Sequence, residues 1–190
     1  DGRSDVIGPY GWLEAPVDRR RGKWQWRAEY KMERDTGIPI LARDVDGDGD
    51  NDLLWARGHN YGVYWMEQAR NAAGEREWKR HEIDRTWSQG HSLLWADLDG
   101  DGVGELIIGK RFMAHDGKDP GATDPMVVYR YQYDPKARKW TRHTIASGGR
   151  VGLGLDPKVA DLDGDGDLDI IASGRSGLYW LENLLKKKKP

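Results

Sequence analysis

The chain has 190 residues and a formal net charge of −2, which is enough for one domain with a sizeable core and gives no reason to expect nucleic acid or an anionic membrane as a general partner. It has no cysteine and no apolar run of about 18 residues, which excludes disulfides, thiolate metal sites and a membrane-spanning helix. Ten Trp and eight Tyr against one Phe, together with 25 Gly, predict many short strands joined by tight turns.

In chain order, the predicted strands recur in a fixed sequence. An apolar strand leads into an acidic loop, a second apolar strand leaves the loop, an aromatic strand follows, and a strand beginning with Trp comes last. The first strands are "IPILARD" (38–44), "HSLLWAD" (91–97) and "PKVAD" (157–161), and the second strands contain "LLW" (53–55), "LII" (106–108) and "IIA" (170–172). The aromatic strands are "YGWLE" (10–14), "GVYWME" (62–67), "VVYRYQY" (127–133) and "GLYWLEN" (177–183), and the Trp strands are "WQWRAEY" (24–30), "WKRHEI" (78–83) and "WTRHTI" (140–145).

The acidic loops are three copies of one pattern, D-x-D-G-D-G-x-x-[DE]. They read "DVDGDGDND" (44–52), "DLDGDGVGE" (97–105) and "DLDGDGDLD" (161–169), and their starts are 53 and 64 residues apart. A motif that returns at a period of about 50 residues indicates a repeat architecture. Five carboxylates within the nine residues of the first loop would repel one another unless a cation lay among them.

The spacing of the oxygen atoms favours a hard cation of the size of calcium. Side-chain oxygens at positions 1, 3, 5 and 9 and a backbone oxygen at position 7 suit such an ion. An EF-hand would need Glu at position 12, where this chain has Trp55, Ile108 and Ala172. Plain Asp-Gly hairpin turns are the alternative, and three copies with identical spacing argue against it.

Four-stranded units that repeat radially are the blades of a β-propeller, so the predicted fold class is all-β, with a sandwich of the same strands as the alternative. The predicted blades are residues 1–35 (partial), 36–88, 89–150 and 151–190 (partial), about three and a half blades in one domain over 1–190. "DGRSDVI" (1–7) aligns with "DGDNDLL" (48–54), which sets Asp1 opposite Asp48 and Asp5 opposite Asp52. We therefore expect the sequence to begin within a fourth acidic loop, with any signal peptide upstream.

The loops "DVDGDGDND", "DLDGDGVGE" and "DLDGDGDLD" resemble those of the FG-GAP/VCBS repeat family, which occurs in integrin α-subunit propellers and many secreted bacterial proteins. The resemblance covers the whole chain. It implies a β-propeller, Ca²⁺ at about three sites and a secreted or periplasmic location, but no particular activity.

Carried over position by position, the resemblance also implies the calcium ligands. The side-chain ligands would be Asp44, Asp46, Asp48, Asp52, Asp97, Asp99, Asp101, Glu105, Asp161, Asp163, Asp165 and Asp169, and the backbone oxygens would come from Asp50, Val103 and Asp167. Glu105 stands where the other loops have Asp, so the second site is expected to differ in geometry.

The connections at the other strand ends carry polar residues that do not repeat from blade to blade. Because neighbouring strands run antiparallel, these connections lie on the face opposite the acidic loops. His81 and His143 occupy equivalent places on outer strands and are interpreted as structural. The candidates for catalysis or binding on the opposite face are His59, Tyr61, His91, Arg111 and His115.

Three interpretations of this face remain open. Its residues suit a carbohydrate or protein ligand, or a transition metal bound by the imidazoles. A His/Tyr pair near an Arg could instead abstract a proton beside a carboxylate, and the chain has a weaker resemblance to polysaccharide lyases and to the propeller of aldos-2-ulose dehydratase. In the third interpretation the polar side chains are simply solvated.

The longest insertion, "GKRFMAHDGKDPGATDP" (109–125), accounts for the larger offset of 64 residues and lies on this same face, where long loops tend to carry function. The expected partners also include the remaining propeller blades upstream, or a second chain, because an open propeller would expose strand edges.

Overall fold

A computed structural model describes residues 2–37 and 39–186 of the chain. Within these residues lie fourteen β-strands and one 3₁₀ turn, Ala114–Gly117. The strands are β1 (Val6–Gly8), β2 (Gly11–Glu14), β3 (Gln25–Arg27), β4 (Leu41–Arg43), β5 (Asp52–Ala56), β6 (Tyr61–Arg70), β7 (Arg76–Ser88), β8 (Gly90–Ala96), β9 (Glu105–Lys110), β10 (Val127–Asp134), β11 (Lys139–Ser147), β12 (Lys158–Ala160), β13 (Asp169–Gly174) and β14 (Gly177–Leu181).

The strands form four antiparallel sheets in chain order. Sheet A is β1–β3, sheet B is β4–β7, sheet C is β8–β11 and sheet D is β12–β14, and in each sheet consecutive strands are neighbours. In sheets B, C and D an acidic loop joins the first strand to the second, as predicted. These loops are called the B loop (44–52), the C loop (97–105) and the D loop (161–169) below. The predicted all-β fold is confirmed.

The second strand of each complete sheet is buried on both faces. In β5, Leu54 and Ala56 pack towards sheet C, whereas Leu53 and Trp55 pack towards sheet A. This arrangement explains the unbroken apolar run in the sequence, because successive side chains of a strand point to opposite faces. Each such side chain contributes about 1.5–3 kcal/mol when it is fully buried.

Strand β9 plays the same part between sheets B and D. Leu106 and Ile108 join the cluster with sheet B, and Ile107 packs with Ile170 and Ala172 of sheet D. The four sheets therefore stack in chain order through their second strands.

Several strands differ in length from their predictions, and two of the Trp strands are examples. The first Trp strand, predicted over 24–30, is limited to Gln25–Arg27. The chain leaves the sheet there because Tyr30 inserts into the core, and its hydroxyl donates a 3.0 Å hydrogen bond to the Gly11 carbonyl. The second Trp strand, predicted over 78–83, extends over Arg76–Ser88 because its partner β6 has ten residues.

The alignment of Asp1 with Asp48 falls on a residue outside the described ones and stays a prediction. Asp5 does have the geometry of Asp52. Asp5 Oδ1 accepts the Ala15 N–H at 2.8 Å, and Asp52 Oδ1 accepts the Gln68 N–H at 2.8 Å. Among the described residues, no helix is long and apolar enough to cross a membrane.

Candidate functional site

Each acidic loop turns through two glycines in left-handed backbone conformations. Gly47 has φ +80° and Gly49 has φ +96°, and the equivalent glycines of the other two loops lie between +73° and +90°. A Cβ at Gly47 or Gly49 would meet no atom within 4 Å. Glycine is therefore required here by the backbone conformation rather than by lack of space.

A hydrogen-bond network fixes the carboxylates, and it is the same in all three loops. Asp44 accepts the N–H groups of Gly47 (2.8 Å) and Gly49 (3.1 Å), one on each carboxylate oxygen. Asp46 accepts the N–H of Asp48 at 3.3 Å, and the fifth position accepts the N–H of the seventh at 3.0 Å. The corresponding bonds of the C and D loops measure 2.7–3.3 Å.

This network brings the first three carboxylates of each loop together. In every loop, one oxygen from each of the three lies within 4.8 Å of the others; the sets are Asp44, Asp46 and Asp48, then Asp97, Asp99 and Asp101, then Asp161, Asp163 and Asp165. Burial and the neighbouring charge of Asp48 raise the pKa of Asp46. The cluster of oxygen donors fits a hard divalent cation such as Ca²⁺.

The ninth residue of each loop lies beneath it and is buried. Asp52, Glu105 and Asp169 are at most 1% exposed. Each accepts the N–H of the second loop residue, at 3.3 Å, 2.8 Å and 3.0 Å respectively. Burial raises the pKa of both Asp52 and Glu105 to about 7. The structure thus ties the ninth residue to the loop backbone, and its role as a calcium ligand stays a prediction.

The seventh residues differ in their side chains. Val103 is 54% exposed. Asp50 and Asp167 each have a buried Oδ1 that finds no hydrogen-bond partner in the described part of the chain. The B and D loops therefore hold a further carboxylate oxygen that no residue in the described part of the chain satisfies.

The C loop differs from the other two through an arginine. Arg130 of β10 pairs with Asp99 and Glu105, at 2.5 Å in each case. The strand register places Arg130 where sheet B has Trp65 and sheet D has Trp180. A guanidinium thus neutralises part of the C loop. The expected difference in geometry of the second calcium site stays a prediction.

At the opposite strand ends the structure brings together the three histidines that do not repeat. His59 lies in the β5–β6 turn, His91 is the second residue of β8, and His115 lies in the 3₁₀ turn after β9. The His59 and His115 rings are stacked, with centroids 4.5 Å apart and an interplanar angle of 7°, and the His91 ring is edge-on to His59 at 5.8 Å. The three histidines therefore lie together at the strand ends opposite the acidic loops, as the antiparallel strand order predicts.

The two acidic residues that organise this cluster were not singled out in the sequence. Asp119 contacts both histidines that stack: its Oδ2 lies 3.0 Å from His59 Nδ1 and its Oδ1 lies 3.2 Å from His115 Nδ1. Asp124 accepts a 2.6 Å hydrogen bond from the Tyr61 hydroxyl, which raises the pKa of Tyr61. Both acids lie in the insertion 109–125. The position of this insertion on the same face as the histidines was the feature of the sequence that could have identified them.

Arg111, the remaining candidate, binds the same cluster. Its Nη2 donates to the Gly58 carbonyl at 3.1 Å and lies 2.9 Å from His59 Nδ1 and 3.6 Å from Asp119. Burial and the charge of Arg111 lower the pKa of His91. The five candidate residues and the two acids share one polar region, which we call the histidine face: Tyr61, His59, His91, Arg111, His115, Asp119 and Asp124.

Beneath the histidine face lie buried polar groups without partners. Lys110 is fully buried, and its Nζ has no hydrogen-bond partner among residues 2–37 and 39–186. In the same part of the structure the Ser88 hydroxyl, the Gln89 carbonyl oxygen and His91 Nδ1 are likewise buried and unpartnered. Since buried polar groups in proteins are normally hydrogen-bonded, this concentration marks a candidate binding site.

Comparison with known proteins agrees with the repeat pattern. Residues 44–108, which contain the B and C loops, match the family described as FG-GAP-like repeat. This part of the chain is an FG-GAP-like repeat segment. The chain is also similar to integrin alpha-PS2 of Drosophila melanogaster, with 30% identity over 138 residues that cover 68% of this chain and 10% of that protein.

The segment matched by the FG-GAP-like repeat family includes His59 and His91 but neither the D loop nor the insertion that carries His115 and Asp119. The resemblance to the FG-GAP repeat family, which the three acidic motifs indicated, is confirmed. The evidence for the histidine face is the distances between its side chains in the structure.

Proposed function

We propose that this chain is part of a calcium-stabilised β-propeller of a secreted or periplasmic protein, and that it binds a carbohydrate or protein ligand on the histidine face. Sheets B and C would be complete blades and sheets A and D incomplete ones, which gives the predicted count of about three and a half. The proposal concerns this segment, since the matched part of the chain covers 10% of integrin alpha-PS2.

One observation carries the calcium part of the proposal. In the B and D loops three carboxylates converge, and the seventh residue of the same loop, Asp50 or Asp167, has a buried Oδ1 with no partner among the described residues. A buried anionic oxygen is costly unless a cation or a donor neutralises it. Asp44, Asp46, Asp48 and a backbone oxygen of residue 50 would hold the ion in the B loop, with Asp52 beneath them.

The chain's own contribution is preorganisation. The hydrogen bonds from Gly47 and Gly49 hold Asp44 in place. Bound Ca²⁺ would supply the positive charge that offsets the repulsion between the carboxylates. Extracellular calcium modules bind with dissociation constants of about 10⁻⁴–10⁻³ M, so a site of this kind fits a secreted protein.

The outer edge of sheet D supports the proposed partners. Trp180 of β14 is 49% exposed, whereas its equivalent Trp65 in sheet B is 2% exposed and stacks on His81 of the fourth strand. A further strand, from other blades or from a second chain, would cover Trp180 in the same way and would satisfy the strand edge.

For the ligand, the unpartnered groups beneath the histidine face favour a carbohydrate over a protein. Lys110, Ser88 and Gln89 offer donors and acceptors of several kinds close together, which suits a compact molecule with many hydroxyls and an anionic group. A protein ligand is the alternative, and it would contact the exposed parts of the insertion.

Calorimetry tests both parts of this proposal. Titration of the chelator-stripped chain with Ca²⁺ should show binding that Asp48→Asn and Asp165→Asn each reduce by one site, and absence of heat would refute the calcium part. Titration with acidic oligosaccharides should show binding that Arg111→Gln weakens and that Asp48→Asn leaves unchanged.

An enzymatic role on the same face is the second candidate. Its support is that the histidines lie beside Arg111. The Arg111 guanidinium could stabilise the carboxylate of a uronate while a neutral imidazole removes the proton from the carbon next to that carboxylate. Tyr61 is held protonated by Asp124 and would serve as a proton donor rather than as the base. Appearance of the ultraviolet absorbance of an unsaturated sugar would support this role, and its loss in His91→Ala would assign the base.

A further inference from the structure

We propose that His59, His115 and Asp119 form a second kind of metal site, which takes a divalent transition-metal ion and for which Zn²⁺ is the best fit. The site lies at the strand ends opposite the acidic loops. One donor atom from each of the three residues lies within 4.8 Å of the others.

The distances already approach those of a tetrahedral zinc site. Asp119 Oδ2 lies 3.0 Å from His59 Nδ1, and Asp119 Oδ1 lies 3.2 Å from His115 Nδ1. Ligands that each stand about 2.0–2.1 Å from one tetrahedral ion are roughly 3.3 Å apart. Small side-chain rotations would therefore place an ion between the two imidazoles and the carboxylate.

A conflict between hydrogen bonds supports the presence of an ion. His59 Nδ1 lies 2.9 Å from the Arg111 guanidinium, which can only donate, and 3.0 Å from Asp119 Oδ2, which as a carboxylate can only accept. If Nδ1 carries a proton, that proton is repelled by the guanidinium N–H. If Nδ1 carries none, its lone pair is repelled by the carboxylate oxygen.

A cation resolves this conflict. With an ion bound, the lone pair of His59 Nδ1 and the Asp119 oxygen both point at positive charge. The Arg111 guanidinium, already 3.6 Å from Asp119, is then free to pair with that carboxylate. Metal-bound histidine and carboxylate ligands commonly have such outer partners.

The backbone gives further support, because the chain is strained where it presents His115. Met113, His115 and Asp116 have φ of +41°, +48° and +55°. Non-glycine residues rarely adopt this conformation, which costs of order 1–3 kcal/mol each and persists where other contacts enforce it. The strained turn stacks His115 on His59 while leaving its side chain 61% exposed.

The donor set distinguishes this site from the acidic loops. Two imidazoles and one carboxylate suit zinc and similar ions, whereas calcium prefers oxygen ligands throughout. Three protein ligands leave one coordination position open for a ligand oxygen or water. His91 is edge-on to His59, and its buried Nδ1 has no hydrogen-bond partner among the described residues, so it lies close enough to orient that ligand.

The competing explanation is that Asp119 merely anchors the insertion by binding two histidines. A Zn²⁺ titration of the calcium-saturated chain separates the two explanations. The metal site predicts one equivalent of bound Zn²⁺ and shifts of the His59 and His115 imidazole signals in NMR spectra. Absence of Zn²⁺ binding, or binding that shifts neither imidazole, overturns the proposal.

Variants complete the test. Asp119→Asn keeps the size of the side chain and one acceptor oxygen but removes its charge, and should weaken Zn²⁺ binding at least about tenfold. His115→Ala changes an exposed side chain, so it should fold normally and weaken binding by a similar factor. His81→Gln is the matched control, because His81 lies 2.6 Å from Glu67 in another histidine–carboxylate pair. Equal Zn²⁺ affinity in all three variants would overturn the proposal, whatever the chain does with carbohydrate.

Discussion

Arg130 Nη1 lies 2.5 Å from Glu105 Oε1, and this ion pair is specific to the C loop. In sheets B and D the corresponding partners are a tryptophan and an aspartate, so the two residues depart from the repeat together. The guanidinium also reaches Asp99 and thus places a positive charge among the carboxylates that would bind a cation.

We therefore expect Arg130→Gln to raise the affinity of the C loop for Ca²⁺ by about tenfold, which corresponds to about 1.4 kcal/mol. The physical reason is that a bound cation no longer has to compete with the guanidinium for Asp99. Calorimetric titration of the wild type should resolve one weak site that becomes strong in the variant. Arg150→Gln, an exposed change of equal charge, is the control, and a C loop whose affinity does not change would contradict the prediction.

Chelation should destabilise the fold. Without a cation, the three carboxylates of each loop face one another within 4.8 Å, so EDTA should lower the melting temperature and excess Ca²⁺ should restore it. Asp48→Asn should remove most of the stabilisation that comes from the B loop and leave the D loop nearly intact, because the loops belong to separate sheets. The measurement is thermal unfolding at several Ca²⁺ concentrations; curves that coincide with and without EDTA would exclude a structural role.

The loop glycines provide a test that is independent of calcium. Gly164→Ala should destabilise the chain by about 1 kcal/mol, because residue 164 has φ +77° and alanine is strained there although no atom lies within 4 Å. Gly149→Ala is the matched control, since Gly149 also has open space around it but no left-handed φ. Chemical denaturation measures both, and equal effects would show that the backbone conformation is not the cause.

The acidic loops could be predicted from the sequence because their geometry is local. The alternating carboxylates and the two glycines fix the turn, and identical hydrogen bonds formed in all three copies. The convergence of His59, His91 and His115 was also predictable, since it follows from antiparallel strand order. Asp5 could likewise be assigned from its alignment with Asp52.

The residues that could not be predicted are those whose positions depend on packing between sheets or on an irregular loop. Asp119 meets His59 across 60 positions of sequence through the conformation of the insertion. Arg130 replaces a tryptophan on the third strand of its sheet, and only the register shows that it reaches the C loop. Lys110 ends an apolar strand and looks, in the sequence, like the first solvated residue after it.

A buried tyrosine on β10 links sheets B and C. The Tyr131 hydroxyl donates to Asp84 at 2.7 Å and accepts from Trp87 Nε1 at 2.8 Å. Tyr131→Phe leaves both buried partners without this contact and should lower the free energy of unfolding by about 1–3 kcal/mol. Tyr133→Phe is the control, because the Tyr133 hydroxyl is buried without a partner among the described residues, so its removal should be neutral or stabilising. The opposite ranking in denaturant titration would contradict this assignment.

The fully buried Lys110 is the group for which we expect stability and function to oppose each other. Burial lowers the pKa of Lys110, an effect that Asp124 and Asp119 partly offset and Arg111 adds to. A lysine whose pKa is lower in the folded chain than its ordinary 10.5 reduces stability at neutral pH. This penalty disappears as the pH rises through the folded pKa towards the unfolded one.

Lys110→Met should therefore stabilise the chain by about 1–3 kcal/mol at pH 7, because it keeps the packing of the stem and removes a buried ammonium that has no hydrogen-bond partner among the described residues. The advantage over the wild type should shrink as the pH approaches 10.5, and binding of acidic oligosaccharides should be lost at every pH. Denaturant titrations at several pH values measure the first effect and calorimetry the second, with the exposed Lys79→Met as control. A variant that is less stable than the wild type at pH 7 would mean that the Lys110 ammonium is satisfied within the fold, and would contradict a ligand site beneath the histidine face.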